Sequence, residues 1–250
     1  MLDKLPVLSR PPLVETAFCV NMRCKILQFD EIVAIVKTIA PTYIKHEEIH
    51  RQEIHVSNGT DGAIRQVDKV VGARFRKDAN HILTLQGNGA DEMLFAYSLL
   101  SPYSSWNEFI KEALSLYGKF KLQVSIDAIV RIGVRSIDRI IPMAGLLNLR
   151  DILKVVPPGV AGLDSPVVKD FLYKDTIYSK ELNLHVTMIR ATQSGIPGSL
   201  PNVILDTDVF FTNEGLVSDH FLERRLEDVR AMKDHVFKNS VGEKYLEAWL

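Results

Sequence analysis

His46-Glu47-Glu48-Ile49-His50 is a literal match to H-E-x-x-H. On a helix, that spacing puts both imidazoles on one face to bind zinc and leaves the glutamate as general base. His55 lies close by as a possible third ligand. The surrounding residues argue for an extended segment instead. Pro41 ends the preceding helix, and Ile44, Ile49 and Ile54 are five apart, so no apolar helical stripe forms. In a strand, His46 and Glu47 face opposite ways. A metal-dependent hydrolase using His46, His50 and Glu47 is therefore an alternative reading, and no cofactor is expected.

A second constellation is a face of a strand. Between Ile126 and Ile141, Arg131, Gly133, Arg135 and Arg139 share one parity, while Val130, Ile132 and Val134 share the other. Three arginines on one side suit phosphate or carboxylate recognition. Asp206 and Asp208 also share a parity within Val203–Phe211. Cross-strand Arg–Asp pairing would satisfy both sets of charges within the sheet, and this is the favoured reading of the cluster. A lone D-x-D is weak grounds for a divalent cation.

Other chemistries find no signature. Gly87-Asn88-Gly89 lacks the lysine and the strand-to-helix setting of a phosphate loop, and there is no G-x-S-x-G elbow. No aromatic ladder interleaves the basic residues as a single-stranded nucleic-acid platform would require. The net charge of −1 gives no global attraction to nucleic acid, so such binding would depend on the arginine-lined face.

The elements that must position these groups follow from periodicity. Pro11-Pro12 forces extended backbone, after which Phe18, Val20 and Met22 alternate with Cys19, Asn21 and Arg23 as in a half-buried strand. Asp30 is the expected N-cap of a helix carrying Ile32, Val33, Ile35, Val36 and Ile39. Residues 43–56, 68–77, 81–86 and 92–99 read as strands, with 57–62 and 87–89 as turns. Ser104 or Ser105 caps a helix whose stripe is Trp106, Phe109, Ile110, Ala113, Leu114, Tyr117 and Phe120.

The second half opens on the strand 126–141 and a short helix over 149–153 that stops before Pro157-Pro158-Gly159. Strands over 171–178, 184–192 and 203–211 follow, with 195–199 as a loop. Residues 219–249 read as a helix, with Phe221, Leu222, Leu226, Val229, Met232, Val236 and Phe237 on one side and a break at Gly242. The strands are too close in sequence for parallel crossovers. The expected fold is α+β and mainly antiparallel. It is built from a duplicated β-α-β-β-β-α unit, with helices on one face. The expectation is a single compact domain over 1–250, with pseudo-repeats at 11–123 and 124–250.

Composition sets wider bounds. The chain has 250 residues, 46% hydrophobic and 24% charged, enough apolar material for a sizeable core. Cys19 and Cys24 have opposite strand parity, which disfavours a disulfide and suits a reducing compartment. No apolar run approaches a membrane span, and the first twelve residues lack an apolar h-region. A cytoplasmic location and no membrane contact are expected.

Several short motifs occur in a telling order: Pro11-Pro12-Leu13-Val14-Glu15, Trp106 with Phe109, Arg131 through Ile140, Leu205-Asp206-Thr207-Asp208-Val209-Phe210, and a last helix ending Trp249-Leu250. Together they resemble a family of sporadically distributed, uncharacterised prokaryotic proteins of similar length. The chain departs from that pattern where Ser136 and Asp138 replace an aromatic and an amide. The resemblance brings no assigned activity and no agreed catalytic residues. Its patchy distribution implies mobile accessory genes, including defence and toxin–antitoxin-like systems. The expected function is a non-enzymatic interaction or regulatory subunit with a protein partner.

Overall fold

The computed structural model describes residues 8–9, 11–56, 64–89, 91–103, 105–143, 149–156, 170–193 and 201–250. The turns expected at 57–62 and 195–199, Pro157-Pro158-Gly159 and Ser104 lie outside the described residues. The fold is α+β. Its strands are β1 (Leu13–Cys24), β2 (Lys45–Val56), β3 (Ile64–Arg76), β4 (His81–Asn88), β5 (Glu92–Leu100), β6 (Ile126–Ile140), β7 (Leu172–Ser179), β8 (Leu184–Gln193) and β9 (Asn202–Gly215). They form one antiparallel sheet in the order β2-β3-β4-β5-β1-β6-β9-β8-β7. Four strands separate the two helices of the first half, where the repeat expectation counts three.

The helices are α1 (Phe29–Ile39), α2 (Trp106–Lys121), α3 (Leu149–Ile152), α4 (Asp219–Ser240) and α5 (Glu243–Trp249). The N-cap of α1 is Gln28, not Asp30. Glu31 Oε2 reaches back to accept the Gln28 backbone N–H at 2.7 Å, which fixes the start before the expected cap and leaves Asp30 beside the positive end of the helix dipole. Ser105 caps α2, accepting from the Glu108 N–H at 3.2 Å. On that helix Leu116 is buried and Ile110 and Leu114 are half-buried, so the buried stripe lies slightly off the expected one. The long C-terminal helix breaks at Val241-Gly242. A Cβ on Gly242 would stand 2.0 Å from the Asp151 carbonyl oxygen, so only glycine allows that approach.

The chain gathers into two compact units. One comprises Met1–Ala17, Gly133–Thr212 and Val217–Leu250; the other comprises Phe18–Ile132 and Asn213–Leu216. Their borders cut β1 and β6 part-way along, so neither unit coincides with 11–123 or 124–250. In the second unit, Phe18, Phe95, Tyr117 and Phe120 pack with ring centroids 5.3–6.5 Å apart. In the first, Ile140, Ile152, Leu153, Val203, Leu205, Val241 and Tyr245 form a buried cluster. Both cysteines are free. No helix among the described residues is long and apolar enough to cross a membrane.

Candidate functional site

The H-E-x-x-H segment lies within β2, so the zinc geometry is absent. Four residues of extended chain separate His46 from His50 by about 13 Å, too far for one ion. The His46 ring sits 5.7 Å from Phe29 and 5.6 Å from Phe75. His50 lies between Glu48 at 3.1 Å and Asp68 at 3.0 Å, while Glu47 faces Arg76 at 3.6 Å. Nothing is described of the His55 side chain. No cluster of metal-ligating side chains occurs among the described residues.

The arginine face is alternating, as expected, and its middle arginine is paired within the sheet. On β6, Ile132, Val134, Ser136, Asp138 and Ile140 are buried, while Arg135 and Arg139 are exposed and Arg131 is half-buried. Arg135 forms a bidentate pair with the buried Asp206, Nε to Oδ1 at 2.8 Å and Nη2 to Oδ2 at 2.6 Å. Its hydrogen bonds to Asp206, with the added charges of Asp208 and Glu15, raise the guanidinium pKa further. Gly133 is small for a reason: a Cβ there would lie 2.5 Å from both the Phe210 Cβ and the Val209 carbonyl oxygen. Arg139 donates its backbone N–H to the Pro12 carbonyl at 2.9 Å. The arrangement fastens strands together.

Below this face lies a group the sequence did not single out for chemistry. Asp138 is buried, and desolvation pushes its carboxyl up to about 7 despite the opposing pull of Lys233 on α4. Ser136, of the same parity, is also buried, and its hydroxyl has no hydrogen-bond partner among the described residues.

A polar hub in the second unit also escaped the sequence. Glu112 of α2 accepts from the Tyr43 hydroxyl at 3.2 Å and from Lys77 Nζ at 3.2 Å; His81 Nε2 stands 3.8 Å away. Tyr97 also hydrogen-bonds Glu112. Asp78 accepts from the backbone N–H groups of Asn80 and His81 and lies 2.9 Å from His81 Nδ1, which lowers its pKa to about 2. Burial and the Glu112 charge push both tyrosine hydroxyls well above their usual range. Tyr43 and Glu112 line the wall of an open cleft of about 500 Å³ between the end of α1 and α2. Donors already surround the carboxylate, and neither hydroxyl ionises readily. This hub ties α2 to the β3–β4 turn; it is poorly suited to act as a nucleophile or base.

The surface that stands out is β7. It is the last strand in the sheet order, and its neighbour is β8. Leu172, Tyr173, Ile177 and Tyr178 are 77%, 39%, 54% and 49% exposed, four of the eleven large exposed hydrophobic residues among those described. Alternation places Leu172 and Tyr178 on one face of the strand and Tyr173 and Ile177 on the other. Tyr178, His185 and Phe210 lie opposite one another across β7, β8 and β9, with ring centroids 4.8 and 5.1 Å apart. On the opposite parity, the buried Arg190 holds Asp175 at 3.1 Å and lies over the Tyr173 ring at 5.3 Å. The strand is thus firmly attached on one side and apolar on both faces.

No family model and no curated protein matches this chain. Among solved structures, it is similar to DynU16, described as a protein in the dynemicin biosynthetic locus. The match has 12% identity and covers 88% of this chain and 97% of that one. Its TM-score is 0.20, and no property of that protein carries over.

Proposed function

We propose that this chain is a non-enzymatic interaction or regulatory subunit that receives an extended segment of a protein partner along β7. The exposed apolar strand at the sheet end is the observation that carries this reading. An edge strand offers unpaired backbone groups, and an added strand gains both main-chain hydrogen bonds and side-chain pockets on alternate residues. The internal pairing of Arg135 with Asp206 and the saturation of Glu112 weigh against the nucleic-acid and enzyme alternatives. The family resemblance favours an accessory role in a prokaryotic defence or toxin–antitoxin-like system.

The fold itself is read as a duplicated unit with its helices on one face of the sheet. The mirrored strand order supports the duplication alone: β3-β4-β5-β1 meets β6-β9-β8-β7, with β1 and β6 opening the two halves. On that reading β2 is an addition to the first copy.

Native mass spectrometry of the protein purified gently from its host tests the function. A stoichiometric partner retained by the wild type and lost by Ile177→Lys is the expected result. A partner that is indifferent to Ile177→Lys and Leu172→Glu, or no partner at all, overturns the assignment of β7.

A further inference from the structure

β7 has an apolar–polar pattern that is symmetric about Asp175, although the matched residues differ in identity. Moving outward from it, Lys174 is matched by Thr176, Tyr173 by Ile177 and Leu172 by Tyr178. An antiparallel partner meets a strand in the reversed direction, so such symmetry is what a strand needs to pair with its own copy. We infer that the strand received along β7 is β7 of a second copy of this chain, paired antiparallel about a two-fold axis at Asp175. This rests on the reading of β7 as the docking strand and names its occupant.

The register follows from the side chains. Centred on Asp175, Leu172 meets Tyr178 of the second copy on one face, and Tyr173 meets Ile177 on the other. Each exposed apolar side chain thereby gains an apolar partner. Lys174 lies opposite Thr176, so no like charges meet on that face. The two Asp175 carboxylates do approach at the axis. Each is already held by its own buried Arg190 at 3.1 Å, which offsets their repulsion. Other centres fit worse. A centre at Lys174 sets two lysines opposite each other and leaves Tyr173 against Asp175. A centre at Thr176 sets Asp175 against Ile177 and Lys174 against Tyr178. A centre between two residues would join unlike faces of the two sheets. The stack of Tyr178, His185 and Phe210 ends at β7, and Leu172 of the second copy would cover its open end.

The purified full-length chain is examined by light scattering coupled to size exclusion, up to about 100 µM. The expected result is a dimer whose dissociation constant rises about 100-fold or more in Ile177→Lys and in Leu172→Glu. Circular dichroism melting confirms that each variant is folded. Cross-linking then fixes the register. The double variant Lys174→Cys/Thr176→Cys should form an intermolecular disulfide on mild oxidation, because its cysteines face each other across the axis at a bridging distance. Thr176→Cys alone should not. Cross-linking of the single variant, or a dimer untouched by both edge variants, overturns the inference. So does a monomer throughout. In that last case, a host partner lost with Ile177→Lys preserves β7 as a docking strand for another protein. A host partner indifferent to both edge variants removes that reading as well.

Discussion

β2 and β7 stand at opposite ends of the strand order, and they handle charge in opposite ways. β2 carries its charge outward: Lys45, Glu47, Glu48 and His50 are exposed, and its register against β3 shifts between Ile49 and His50. Charge and irregularity are the usual means of discouraging further strand pairing. β7 exposes one charge, Lys174, holds Asp175 against a buried arginine, and turns leucine, isoleucine and tyrosine to solvent. Among the described residues, one end of the strand order is mainly charged and the other mainly apolar. The lesson is that edge strands of similar alternation present different side chains to solvent according to where their ionic partners lie.

The largest test of this contrast concerns charge buried on the β7 side of the strand order. Asp138 stays neutral in the fold up to about pH 7, while its ordinary value is 3.8. The native state therefore holds a proton that the unfolded chain releases, and stability falls as pH rises from about 4 to about 7. The loss should approach about 4 kcal/mol, then level off. Urea unfolding at several pH values should show that slope in the wild type and not in Asp138→Asn. An unchanged slope in the variant would assign the effect elsewhere.

Next in size is the clamp behind β7. Arg190→Met strands Asp175 and should cost about 3 kcal/mol by urea unfolding; adding Asp175→Leu should recover much of it. Equal losses in the single and double variants would mean that packing, not charge, governs the site. In the other unit, Tyr43→Phe removes one donor from Glu112 and should cost about 1 kcal/mol. A larger loss, comparable to Arg190→Met, would raise that hub from a tie to a keystone. The smallest effect belongs to the charged edge. His50→Ala should change stability by no more than about 0.5 kcal/mol, because its contacts with Glu48 and Asp68 are solvated. A markedly larger value would break the contrast between the two edges.

Much of the architecture is legible in the order of residue types. Phe18, Val20 and Met22 announce the buried side of β1, and the arginine alternation announces β6, because a strand's parity is a local property. Ser105 caps as expected for the same reason. The Arg135–Asp206 pair is anticipated as an Arg–Asp contact, with parity but not register in hand. The Glu112 hub is not legible, since its partners Tyr43 and Lys77 lie 69 and 35 residues away and meet only when α2 packs. Nor does Leu-Tyr-Lys-Asp-Thr-Ile-Tyr-Ser reveal that β7 is an end strand. Position within a sheet is a long-range property, and exposed alternation alone does not encode it. The buried setting of Asp138 has one faint signal, its shared parity with Ile132 and Val134 on β6.

Ser9 donates its backbone N–H to the Trp249 carbonyl at 2.6 Å, and its hydroxyl donates to the same oxygen at 2.9 Å. Topologically, the path from Ser9 to Trp249 is almost a closed ring. A cut at the exposed Leu122-Gln123 turn would therefore leave the two pieces joined where Ser9 meets Trp249 and where Arg139 meets Pro12.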